Sequence, residues 1–138
     1  MQIKQISVFL ENNAGRLAEV TRIVAAAKVN IRAISIADTA DFGILRIIAD
    51  QPDLAMAALA NAGFTARMTD VLAVEIPDEP GSLAKIMAIF QKTAVNIEYL
   101  YASLEGETGK AVVIFKVEDV EHGLKIIREN GLSTLDSF

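Results

Sequence analysis

A chain of 138 residues that is 52% hydrophobic and 22% charged carries too much apolar content to remain disordered, and its net charge of −5 argues against the clustered basic surface of a nucleic-acid binder. The absence of cysteine removes disulfides, thiolate chemistry and cysteine metal sites. No apolar run is long enough to cross a bilayer, and Met1-Gln2-Ile3-Lys4 lacks the features of a signal peptide, so a cytoplasmic protein with no membrane association is expected.

Ile6, Val8 and Leu10 alternate with Ser7 and Phe9, the period-two pattern of a strand with one face on a core. A turn over Glu11 to Gly15 follows, and then Leu17, Val20, Ile23, Val24 and Ala27 recur at helical spacing. Val29-Asn30-Ile31 opens a second strand, Ile31 to Ala37, joined by the hairpin Thr39-Ala40-Asp41-Phe42-Gly43 to a third, Ile44 to Ala49. Asp50-Gln51-Pro52-Asp53 has the proline and acidic first turn of a helix start; Leu54, Ala58 and Leu59 lie on that helix, and Gly63 stops it. Phe64 to Met68 supplies a fourth strand.

The chain then repeats itself. Leu72, Val74 and Ile76 form a strand, Pro77 to Gly81 a turn, and Leu83, Ile86, Ile89 and Phe90 a helix face; Gly15 and Gly81, like Asn30 and Asn96, stand 66 residues apart. Ile97 to Ser103 and Ala111 to Val117 flank a hairpin over Glu105-Gly106-Glu107-Thr108-Gly109-Lys110, where the second copy gains two residues relative to the first. Glu118-Asp119 opens a helix bearing Leu124, Ile126 and Ile127, and beyond that hairpin the offset becomes 68, as Gly63 and Gly131 show. A short tail from Leu132 completes the set.

The fold class is therefore α+β, with two ferredoxin-like βαββαβ modules in tandem, residues 1–69 and 70–138. Each has an antiparallel sheet with both helices on one face. Thr69-Asp70 is the whole connection, too short for free motion. Each half lies near the lower size limit for independent folding. The third strands are apolar on both sides: Leu45 and Ile47 alternate with Ile44 and Ile48, and Val113 and Phe115 with Val112 and Ile114. Helices on one face leave the other bare, so a covering sheet from a second chain, hence a homodimer, is expected.

The first turn of a helix offers unpaired N–H groups and partial positive charge, and glycine admits a ligand close to the main chain. Gly15 and Gly81 stand at that position, with neighbouring N–H groups able to hold a small carboxylate. Glu11, Asn12 and Asn13 in one copy, and Asp78 and Glu79 in the other, supply acceptors for an ammonium group. Asn30 and Asn96 open the second strands at the opposite sheet end, and meet such a turn only across a boundary between modules. A carboxylate cradle with an acceptor set fits an α-amino acid without specifying its side chain. The same residues also suit a structural role, with Asn13 and Asp78 capping helices, the glycines permitting turns, and Asn30 and Asn96 ending helices.

Pro77-Asp78-Glu79-Pro80-Gly81-Ser82-Leu83, followed by Val95-Asn96-Ile97, resembles the ACT domain, a small-molecule-binding regulatory module, and two tandem copies cover essentially the whole chain. The resemblance implies a free L-amino acid effector at a boundary between modules. Its contacts would come from the turn Leu10, Glu11, Asn12, Asn13, Ala14, Gly15, Arg16 and Leu17 with Asn30 and Ile31. The second set is Ile76, Asp78, Glu79, Pro80, Gly81, Ser82 and Leu83 with Asn96 and Ile97. The first copy departs from the pattern in having Ala14 where proline is usual; in the second, Asp78 and Glu79 oppose a bound carboxylate. The first turn, with Asn12, Asn13 and Gly15, is the preferred cradle, and one functional site stands beside two equal ones as an alternative.

The segment from Ile36 to Arg46 resembles a subgroup of free-standing bacterial tandem ACT proteins, with Phe42, Tyr99 and Tyr101 as candidates to line a pocket or simply to pack hairpin and sheet. A metabolic enzyme is a further expected partner; no cofactor and no metal is implied. His122, the only histidine, is expected on an exposed helix face, and Ser7, Ser35, Ser82, Ser103, Ser133 and Ser137 lack a nucleophile context. Asp38 and Asp41 read as solvated hairpin residues rather than a metal pair. The chain is not expected to be an enzyme. A ligand-free dimerisation scaffold is the alternative. RNA binding on this topology would need exposed aromatics in a basic sheet, whereas these strands are aliphatic and the chain acidic.

Overall fold

The computed structural model describes residues 3–38, 41–103 and 107–135. Among them the chain order is β1 (Ile3–Glu11), α1 (Arg16–Ala26), β2 (Ile31–Asp38), β3 (Phe42–Ala49), α2 (Pro52–Asn61), β4 (Ala66–Pro77), α3 (Ser82–Lys92), β5 (Ile97–Ala102), β6 (Lys110–Val117), α4 (Val120–Glu129) and β7 (Ser133–Thr134). This is the βαββαβ pattern twice over. Two compact units run over Lys4–Thr69 and from Asp70 onward, Ile3 grouping with the latter. The tip of the second hairpin, Glu105-Gly106, and the end of the tail, including Ser137, lie outside the described residues.

In the first unit the strands lie in the order β4–β1–β3–β2, with β4 taking part through its first residues. Pairing is antiparallel: Val8 faces Leu45, and Leu45 faces Ile36. The alternation in β1 turns Ile6, Val8 and Leu10 toward Val20 and Val24 of α1 and Ala55 and Leu59 of α2, forming one buried cluster. The second unit repeats this as β7–β4–β6–β5, with Val74 facing Val113 and Val113 facing Ala102. There Leu72, Val74 and Ile76 meet Ile86, Phe90, Leu124 and Ile127.

The two cores are filled differently. Phe90 and Phe115 occupy the positions of Val24 and Ile47, and their rings pack edge to face with centroids 5.5 Å apart. At the position of Ala55 stands Gly123, where an added Cβ would come within 3.0 Å of Leu72 and Val117. The absent methyl lets α4 approach its sheet more closely than a side chain would allow.

The connection Thr69-Asp70 lies within a strand: β4 runs unbroken from Ala66 to Pro77. No glycine or proline interrupts it before Pro77, so nothing in the local sequence ends the extended backbone. On the sheet faces turned away from the helices, Gln5, Ala33, Ile48, Ala73 and Ile114 are at most 1% exposed.

Phe115→Ala is expected to destabilise the protein by about 3–5 kcal/mol, since it removes a fully buried ring and opens a cavity against Phe90. Urea unfolding measures this directly; a loss below about 1 kcal/mol would show that the second core does not depend on the aromatic pair.

Candidate functional site

The turns that start α1 and α3 are built bond for bond alike. Gly15 and Gly81 are the N-cap residues, with φ of 87° and 90°, and neither helix receives a side-chain cap. Asn13 N donates to the Glu11 carbonyl (2.8 Å), and Glu79 N to that of Pro77 (3.0 Å). Asn12 N reaches the Asp41 carbonyl in the adjoining hairpin (3.0 Å), as Asp78 N reaches Gly109 (2.9 Å). Glu19 N and Lys85 N close the first helical bonds onto the two glycines, both at 3.0 Å. The N–H groups of Leu17, Ala18, Leu83 and Ala84 find no main-chain carbonyl among the described residues. Asn13 and Asp78 thus do not cap the helices; the Asn13 amide instead donates to the Glu11 carboxylate at 3.1 Å.

Asn30 and Asn96 stand elsewhere. Each precedes its strand at the end where Ile31 pairs with Ala49 and Ile97 with Val117, whereas the elbows adjoin the opposite end, where Glu11 pairs with Phe42 and Pro77 with Lys110. Asn30 N donates to Asp50 Oδ1 (2.9 Å) and the Asn96 amide to Glu118 Oε2 (3.4 Å). Neither asparagine ends a helix. Left-handed Lys28 and Ala94 do so, with φ of 60° and 58°, and Val29 N and Val95 N bond back to Val24 and Phe90. Within a module the elbow and asparagine sets are not brought together.

Beside the first elbow the surface is hollow. A cavity of about 190 Å³ has Leu17, Ile36 and Phe42 as apolar walls and Glu11, Asn12 and Asn13 as its polar rim. A second, more open depression of about 420 Å³ shares Glu11 and Phe42 with it and runs past Arg16 to Phe64. The Arg16 guanidinium stacks on the Phe64 ring, 4.5 Å from its centroid, and pairs with Glu19 at 3.0 Å. Its Nε is buried without a hydrogen-bond partner. The cation lines this second depression, while the polar acceptors and the apolar wall line the first, beside the open N–H of Leu17.

The second elbow differs in charge. Ser82 replaces Arg16 and is buried, and Asp78 and Glu79 stand exposed. Lys110 is occupied by Glu75 and Glu107, each at 3.2 Å. Those hydrogen bonds, Glu107's foremost, hold the Lys110 ammonium above its ordinary pKa of 10.5. Its cation serves carboxylates already present, so an arriving carboxylate meets the two remaining acids. The second turn thus carries two exposed carboxylates where the first carries Asn12 and Asn13.

Tyr99 and Tyr101 lie on β5, in the second unit, and line neither first-unit cavity; of the three aromatic candidates only Phe42 does. Ile36, Phe64 and Thr65 are pocket residues that the sequence pattern left unmarked as contacts. A large aliphatic at the exposed end of a strand, as Ile36 is, was the one available signal. His122 is half-buried rather than exposed: its ring Nε2 lies 3.2 Å from the Thr93 carbonyl, and its main-chain N–H caps α4 through Asp119. Ser7 is buried against Gln5 and Thr69. The Asp38 side chain lies outside the described residues, so the pairing with Asp41 has no geometry; no group of three or more metal-ligating side chains occurs among the described residues.

The family described as an ACT domain pair matches residues 1–137. The chain belongs to that family. A protein from Bacteroides thetaiotaomicron, BT0572, is similar in structure, with a TM-score of 0.92 and 38% identity over 98% of this chain and 92% of that one. The ligand-free regulatory subunit of aspartate kinase from Thermus thermophilus shares the fold, with a TM-score of 0.67 and 21% identity over 91% of each chain. The corresponding subunit from Thermus flavus gives a TM-score of 0.58 and 21% identity over 91% of this chain and 90% of its own. No curated protein is significantly similar in sequence.

In this ACT pair the elbow glycines have nothing within 4 Å of where a Cβ would stand, so alanine there meets only backbone strain. Gly15→Ala and Gly81→Ala are each expected to cost about 1–2 kcal/mol in urea unfolding. Equal stability of either variant with the parent would mean that the left-handed cap is not required.

Proposed function

We propose that this ACT pair is a non-catalytic regulatory protein that binds a free L-amino acid at its first elbow. The observation that supports the reading is a turn with two open helix N–H groups beside a cavity with a polar rim, Arg16 lining the neighbouring depression. The α-carboxylate would lie at the N–H groups of Leu17 and Ala18 within reach of Arg16, and the ammonium against the Asn12 and Asn13 side or the Glu11 carboxylate. Asn30 and Asn96 would join such a site only if another module presented them. In the second elbow, Asp78 and Glu79 would repel the carboxylate.

An effector seated at an exposed elbow presents a changed surface to whatever docks there, a neighbouring module or a metabolic enzyme. It shifts that equilibrium by its difference in affinity between the two states. Membership of the ACT pair family supports a regulatory over a catalytic role.

Thermal unfolding in the presence of each common L-amino acid tests the proposal. The effector is expected to stabilise the chain by about 2.7 kcal/mol at a hundredfold excess over Kd. Arg16→Ala is expected to weaken its binding by about 1.5–3 kcal/mol, the worth of a hydrogen bond to a charged group. No stabilisation by any amino acid would instead favour the ligand-free scaffold.

A further inference from the structure

Strand register shows which residues of the two modules stand in equivalent places around the elbows. Phe42 pairs with Glu11 at the end of β1, and Lys110 pairs with Pro77 at the end of β4. Ile36 reaches Val8 through Leu45, and Ala102 reaches Val74 through Val113. The apolar pair Ile36 and Phe42 in the first module is therefore Ala102 and Lys110 in the second. Leucine follows both elbows, as Leu17 and Leu83.

The first module's three walls are exposed to an unusual degree for their size. Leu17 is 42% exposed, Ile36 50% and Phe42 53%, although they line one cavity. None of the three belongs to the module's buried cluster, which includes Leu10 and Leu45. An apolar wall facing a polar rim over a volume of about 190 Å³ is the form of a pocket for a small amphiphile. The cavity is too small to seat a helix or strand of a protein partner.

Resting on the reading that the first elbow binds an amino acid, we infer that the effector has an apolar side chain, aliphatic or aromatic, seated on Leu17, Ile36 and Phe42, and that the second elbow is not an equivalent site. The amphiphile is split by the site. Its charged end belongs to the α1 turn and its hydrocarbon end to the strand residues on the other side of the cavity. The second module lacks the hydrocarbon wall, and its Lys110 is tied to Glu75 and Glu107.

Titration calorimetry of the full chain against leucine, isoleucine, valine, methionine and phenylalanine, with glycine, threonine, lysine and aspartate alongside, tests this. At least one apolar member is expected to bind about tenfold or more tightly than glycine, at one ligand per chain. Ile36→Ala, and Phe42→Lys, which installs the second module's residue, are expected to weaken that ligand by about tenfold or more. Leu100→Ala, an exposed apolar change on β5, is expected to leave affinity unchanged. Glycine or a charged amino acid binding as tightly, or Ile36→Ala without effect, would overturn the side-chain assignment while the amino-acid reading survives. Two ligands per chain of equal affinity would overturn the non-equivalence. If no amino acid binds and the Ile36 and Phe42 variants change only the mass in light scattering, the wall is a contact between copies, and both readings fall.

Discussion

The left-handed glycine at the start of α1 and α3 is the constraint on which the site depends. A residue with φ near 90° turns the chain sharply out of the preceding strand and into the helix, leaving no side chain to cap the first turn. The open N–H groups of Leu17 and Ala18, and of Leu83 and Ala84, follow from that geometry. In most helices a serine, threonine, asparagine or aspartate answers one such donor; α4 shows the ordinary solution, with Asp119 accepting from His122 N. The two glycine elbows leave that task to solvent or a ligand.

Around that shared frame the modules diverge in what a ligand would meet. Main-chain bonds repeat at offsets of 66 and 68 residues, from Asn12 N on the Asp41 carbonyl to Asp78 N on that of Gly109. Side chains repeat only in part. Arg16 becomes Ser82, Phe42 becomes Lys110, and Ile36 becomes Ala102. Backbone bonds tolerate such replacements because they do not pass through side chains, so one architecture can carry one polar-apolar pocket and one acidic turn.

The interiors show the same separation of frame from filling. Val24, Ile47 and Ala55 in the first core correspond to Phe90, Phe115 and Gly123 in the second. Larger rings are admitted at two positions and a methyl is given up at a third. Close packing imposes such compensation, since neither overfilled nor empty volume is tolerated well inside a core.

The sequence by itself determined the repeat, the order of strands and helices, the helix-facing side of each strand and the position of the elbows. All of these are local: alternation at period two, spacing near period 3.6, and glycine where φ is positive. Tertiary structure alone decided three other matters. It showed β4 passing through Thr69 and Asp70 without a break, which local composition permits but does not command. It buried Gln5, Ala33 and Ile48 on the sheet face turned away from the helices, which strand alternation alone does not decide. And it set Ile36 and Phe42 beside Leu17, residues from three elements or their edges, because antiparallel register brings distant positions to one sheet end.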